Sequence, residues 1–428
     1  MKMASSLRVM SFRRSLDASA RMNEIFLFLF TFFAVITPYD NFHIKKISLL
    51  ILLVANARSF FKKPQAMVVK LLYVFSLCFV PFSAIVSFGN GSSLISILSE
   101  LFNVLYFLLI VIAINKQTNV RRYFNFSLKV LAVLIVLGFV LDFCGFLDIY
   151  QNPVLIWFRN SGNMMLGKSS SYFSNYILFF KTSPLIFYLL FDSIRKKKIV
   201  WSIFSFASIL LTGTRANFFL AIVLLIVFVF FTSKDRFIRF LLVSIVLLVL
   251  LLFWQKIFGF VSRAFVLKES SDAVRDSDLN AILEGFEDRP FTLLLGSGIG
   301  SVFYSSGRSQ FVTNIELSYW NMLRQFGIVG FLLFVGMFFV EFVHGLKRRD
   351  YLLIFFVLSF LVVAYTNPFL FGSTGALVLI MAAEGNHCEN PFCKSKHREK
   401  EKWWRYGSNA KNHALPGKTI QSRSCIVR

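Results

Sequence analysis

Apolar runs of roughly 20 residues recur down this chain, and that length matches the roughly 30 Å hydrocarbon thickness of a bilayer. A soluble protein of 428 residues could bury a large core without repeating such runs. Here 56% of residues are hydrophobic and only 16% charged, far from the soluble norm. The 55 phenylalanines suit lipid-facing helices, where a bulky ring costs nothing in solvation. The expected fold is an all-α polytopic membrane protein with about twelve transmembrane helices.

The net charge of +24 would suggest nucleic acid in a soluble protein. In this chain Lys and Arg cluster between spans, as in Arg195-Lys196-Lys197-Lys198 and Lys347-Arg348-Arg349, which is the positive-inside pattern. No nucleic-acid partner is expected. The pattern gives a cytoplasmic N-terminus over 1–24, nine spans over 25–257, a large outer loop with amphipathic helices over 258–325, three spans over 326–383, and a basic polar tail over 384–428. Span six is expected at about 172–191 and span nine at about 238–257. The first apolar segment lacks a small-residue cleavage site and reads as a retained span. Lys45 and Lys46 run against the pattern, falling on the outer side of span two.

Five cysteines give no disulfide framework. Cys388, Cys393, His387 and His397 match no standard zinc spacing, so neither a metal nor another cofactor is expected.

Cations on the outer side are informative, because spans and outer loops usually exclude them. Arg215 ends span seven in the turn Thr212-Gly213-Thr214. The large loop adds Arg263, Arg275, Arg289 and Arg308, whose planar guanidinium forks suit phosphate oxygens. Neighbouring acids such as Asp272, Asp276, Asp278 and Glu284 offer these arginines salt bridges instead. Gly296-Ser297-Gly298-Ile299-Gly300 is either a turn presenting N–H groups to an anion or a tight turn at the membrane surface. A helix over Glu316, Tyr319, Trp320 and Leu323 would put all four on one face, with Glu316 a candidate general base and an interfacial aromatic anchor as the plainer reading.

The Thr-Gly-Thr-Arg turn after a span, a loop arginine upstream of Gly-x-Gly, and the segment GIVGFLLF together resemble the O-antigen polymerase/ligase superfamily over about 200–380. The resemblance implies a GT-C-like glycosyltransferase of the bacterial inner membrane, with the large loop periplasmic and undecaprenyl-diphosphate-linked sugars as substrates. Arg215 falls on the family's small-turn arginine and Arg275 on the arginine that opens the loop helix. Arg289 and Gly300 reproduce a polymerase spacing of ten intervening residues. Eleven residues before Gly327, where ligases carry a histidine, this chain has Glu316, which favours a polymerase.

The resemblance implies Arg215 and Arg275 as catalytic and Arg289 and Gly300 as substrate contacts; Glu316 is expected to be catalytic by orienting or deprotonating the acceptor hydroxyl, and Arg308, Gly298 and Tyr319 are expected to add substrate contacts. It implies lipid-linked oligosaccharides as substrates, and a chain-length regulator and a flippase as partners in the same membrane. The alternatives are an O-antigen ligase, or a flippase or other transporter, for which Lys181 and Asp142 are the mid-span candidates.

Overall fold

The computed structural model describes residues 21–39, 42–61, 66–116, 120–167, 177–232, 269–365, 367–368 and 370–387, with 237, 240 and 244. Helix α1 covers 21–36 and α2 covers Ile44–Ala55. Helix α3, Met67–Gly89, passes through a π-helical stretch at Val74–Phe79, and α4 runs over Leu94–Asn115. After α5 (Val120–Phe143) come the short α6 (Pro153–Asn160) and an antiparallel hairpin of β1 (Met164–Gly167) and β2 (Ile177–Phe180). Helices α7 (Ile186–Arg195), α8 (Ile199–Leu211) and α9 (Arg215–Thr232) follow. The charged loop folds into α10 (Glu269–Asp288), α11 (Pro290–Leu295) and a hairpin of β3 (Phe303–Ser305) and β4 (Gln310–Val312). Helices α12 (Ser318–Arg348), α13 (Tyr351–Ala364) and α14 (Ser373–His387) complete the described chain.

Among the described residues α3, α4, α5 and α12 are long and apolar enough to cross a membrane. The protein covers only 33% of the apolar window of α3 and of α5, and 39% of that of α12. Ile85 and Phe88 on α3, Leu137 on α5 and Leu332 on α12 stay exposed. So much uncovered apolar surface is stable only against lipid, and the chain is membrane-embedded. Shorter apolar helices at Ile199–Leu211, Phe219–Thr232, Tyr351–Ala364 and Ser373–Glu384 coincide with further runs read from the sequence. Expected span nine apart from 240 and 244, residues 1–20 and the tail beyond 387, with Cys388, Cys393 and His397, lie outside the described residues.

The sequence reading is corrected at span six. Residues 177–180 pair with β1, and a 3-10 turn at Ser183–Leu185 precedes a helix that starts only at Ile186. Pro184 has no N–H to donate, which favours a helix start just there over a helix running through it. Lys181 thus follows a strand, and Asp142 sits in the last turn of α5. There its carboxylate accepts from the Ile149 N–H at 3.3 Å.

In lipid, helices gain nothing from burying apolar surface against one another, so close packing has to hold them. Phe326 on α12 meets Phe75 and Phe79 of α3 and Phe371 at ring-centre distances of 5.4, 6.3 and 5.1 Å. Gly330 makes room for this, since a Cβ there would lie 2.2 Å from the Phe79 ring. Gly327, with φ 62° and ψ −175°, breaks α12 near its start. The break leaves the carbonyls of Arg324 and Gln325 to accept from the loop N–H groups of Ser297 and Gly298, at 2.8 and 3.1 Å. The charged loop is thereby fastened to the head of α12.

Candidate functional site

Helix α10 carries Arg275 opposite the extended segment that joins β4 to α12. The guanidinium donates through Nε (3.1 Å) and Nη2 (2.8 Å) to a single oxygen, Oε2, of Glu316. Both side chains remain partly open to solvent. Glu316 is not on a helix face with Tyr319, because the helix starts at Ser318, after the non-helical Leu317 (φ −77°, ψ 81°). The Ser318 hydroxyl donates to the Asn367 carbonyl, which fixes that start. Tyr319 turns the other way, its hydroxyl donating to the Leu361 carbonyl at 2.6 Å and its ring packing with Phe331.

The remaining loop candidates separate by their partners. Arg308 lies 3.3 Å from the buried Asp278, which also accepts from the Ser305 hydroxyl, so it braces α10 against the β3–β4 turn. Arg289 precedes α11 with an exposed side chain, and no described residue gives it an ion pair. Arg215 heads α9, but its side chain lies outside the described residues, as does Arg263. The turn before Arg215 is tied down by Asn217, whose amide donates to Thr212 (3.2 Å) and to Ser183 (3.4 Å).

Gly298 and Gly300 bring the loop against the ends of α3 and α4. A Cβ on Gly298 would lie 2.4 Å from the Ser87 nitrogen, and one on Gly300 2.8 Å from the Ser96 carbonyl oxygen. The N–H groups of Ser297, Gly298, Ile299 and Ser301 donate to Arg324, Gln325, Ser83 and Gly298 respectively. With those donors engaged, this turn packs backbone on backbone and does not present them to an anion.

On either side of Glu316, at Ile315 and Ser318, the chain lines a partly open cavity of about 250 Å³, whose wall includes Lys45, Lys46, Glu100, Lys181, Asn314 and Asn321. Asn163 helps to shape it, its side-chain oxygen accepting from the Tyr39 N–H (2.8 Å) and its carbonyl from the Lys181 N–H (3.0 Å). The Lys181 ammonium in turn donates to the Tyr39 hydroxyl at 3.1 Å. Lys45, at the start of α2, donates to the Pro38 carbonyl and to Ser373.

Glu100 is 4% exposed. Its two oxygens accept from Asn314 (2.5 Å) and Asn103 (2.8 Å). Asn314 accepts from Asn321 at 2.8 Å, and Asn321 from Arg324 at 3.0 Å. A row of N–H donors therefore runs from a buried guanidinium to a buried carboxylate along the cavity wall. Arg324 is further held by Ser301 and the Thr313 carbonyl and lies over the Phe303 ring.

Sequence reasoning missed Glu100, a charge inside an apolar run where charges are costly, and Arg324, which lies just before such a run. It noted Lys45 and Lys46 only as exceptions to charge topology, and those exceptions converge on the cavity with Lys181. Comparison with protein families, characterised proteins and solved structures finds no match for this chain.

Proposed function

We propose that the protein is a membrane glycosyltransferase that joins undecaprenyl-diphosphate-linked oligosaccharide units into a surface polysaccharide, an O-antigen or capsule, at the outer face of the bacterial inner membrane. The observation that carries the reading is the Arg275–Glu316 pair beside a cavity walled by Lys45, Lys46, Lys181 and Glu100. Such a site offers cations to phosphate and carboxylates to sugar hydroxyls, at the end of the helices where the charged loop is fastened.

In this reaction an acceptor hydroxyl oxygen attacks the anomeric carbon of the donor sugar. The bond from that carbon to the diphosphate oxygen breaks, and its electron pair leaves with the diphosphate. Arg275, with Arg215 at the head of α9, meets the charge that develops there. A diphosphate competing for the Arg275 guanidinium loosens its hold on Glu316. The carboxylate then takes the proton from the acceptor hydroxyl as the new glycosidic bond forms. Arg289, exposed at the head of α11, contacts the growing glycan.

The test is the glycolipid profile of cells that carry Arg215→Ala or Arg275→Ala in place of the normal protein. Accumulation of single-repeat glycolipid is expected in both. Normal chain lengths in both variants, at normal protein level, would sink the assignment.

A further inference from the structure

We propose that the cavity between the starts of α2, α4 and α12 binds a sugar ring that carries an oxyanion, a phosphate or a carboxylate. Lys181 takes the oxyanion, and Glu100 takes a ring hydroxyl. The inference deepens the polymerase reading and rests on it only in naming the occupant as part of the acceptor glycolipid. Lys181 meets only the Tyr39 hydroxyl and ring among the described residues. A protein cation that keeps a phenol and no carboxylate beside it is available to an anionic ligand.

Glu100 is built differently. Asn103 and Asn314 each donate to one of its oxygens, and each oxygen keeps acceptor capacity beyond that bond. The Asn321–Asn314 row polarises the carboxylate from the direction of Arg324 and stops it from swinging out to the lysines. A fixed carboxylate that can only accept is suited to a hydroxyl donor and repels a phosphate. The cavity thus separates the two ends of its ligand, oxyanion on the lysine side and hydroxyl on the Glu100 side. At about 250 Å³ it has room for one ring.

The experiment uses the purified full chain in lipid nanodiscs and follows its thermal unfolding midpoint as glucose 1-phosphate, glucuronate, inorganic phosphate or glucose is added. Glucose 1-phosphate or glucuronate is expected to raise the midpoint saturably, and the tighter of the two identifies the oxyanion as phosphate or carboxylate. Inorganic phosphate is expected to act at concentrations about tenfold higher, having no ring hydroxyl, and glucose not to act. Lys181→Met should weaken the sugar oxyanion about tenfold or more. Glu100→Gln should remove the preference for glucose 1-phosphate over inorganic phosphate. Should Glu100→Gln lose its fold, Asn103→Ala reads the same preference with the carboxylate retained but less firmly held.

The proposal is overturned if neither sugar oxyanion gives a saturable response, if Lys181→Met responds like the unaltered protein, or if the sugar preference survives both changes at the Glu100 side. Binding of this kind without any change of chain length in the Arg215 and Arg275 variants would leave the cavity assigned and remove the polymerase reading alone.

Discussion

Gly296 and Gly327 pack backbone against backbone, and neither position has room for a Cβ. A Cβ on Gly296 would lie 2.3 Å from the Gln325 carbonyl oxygen and 2.7 Å from the Gly327 nitrogen. One on Gly327 would lie 2.3 Å from the Leu294 carbonyl oxygen and 2.5 Å from the Gly296 nitrogen. Both also have positive φ, 83° and 62°. Alanine at either position therefore strains the backbone and forces the loop off the head of α12. Gly296→Ala or Gly327→Ala should each cost about 3 kcal/mol or more and lower the amount of folded protein in the membrane. Gly285, inside α10 with open space around it, is the contrast. There alanine should raise stability by about 0.5–1 kcal/mol, measured as the thermal midpoint in nanodiscs.

The Arg275–Glu316 pair can be divided into its structural and its chemical part. Both groups are partly exposed, so their coupling should be about 0.5–1 kcal/mol in a double-mutant cycle. Arg275→Glu combined with Glu316→Arg should regain most of the thermal midpoint lost by either single change. The reversed pair should still fail to lengthen glycan chains, because a carboxylate on α10 repels the leaving diphosphate. Chain extension restored by the reversal would reduce the pair to a brace.

Much of the helical frame was legible because bilayer thickness dictates the length of an apolar run, and α3, α4, α5 and α12 fall where such runs occur. The hairpin at 164–180 was not, since short apolar strands such as Met164–Gly167 and Ile177–Phe180 carry no periodicity that distinguishes them from helix. The glycine turn at 296–300 could be read as a turn, but its partner Gly327 lies in another element and only the fold brings them together. Glu316 was singled out, though as a helical residue, because nothing local in the sequence announces that the helix waits for Ser318. Glu100 and Asn314 are far apart along the chain, and no local pattern connects them.

Arg308 and Arg289 should behave oppositely. Arg308→Ala leaves the buried Asp278 carboxylate with the Ser305 hydroxyl but without a cation. Because Arg308 itself is partly exposed, the cost should be about 1–2 kcal/mol, and Asp278→Asn in the same chain should recover part of it. Arg289→Ala should change stability by less than about 0.5 kcal/mol, since no described residue depends on its side chain. Under the polymerase reading, Arg289→Ala should nonetheless shorten the polysaccharide, as read from its size distribution. A normal distribution would remove Arg289 from the glycan path.

The row from Arg324 to Glu100 should fail as a unit. Arg324→Met removes a buried guanidinium that Ser301, Thr313 and Asn321 all answer, and leaves the Ser301 and Asn321 oxygens without that donor while the Thr313 carbonyl keeps the Gln325 amide. It also leaves Glu100 without its nearby opposite charge, so the loss should be about 3–5 kcal/mol. Asn314→Leu cuts the row in the middle and should cost less, about 1–3 kcal/mol, because Asn103 still serves one oxygen of Glu100. If the row acts through Glu100, Arg324→Met combined with Glu100→Gln should be less destabilised than the sum of the two single changes. Simple additivity in thermal unfolding would mean that the guanidinium and the carboxylate stabilise the helices independently, with the asparagines between them as passive filling.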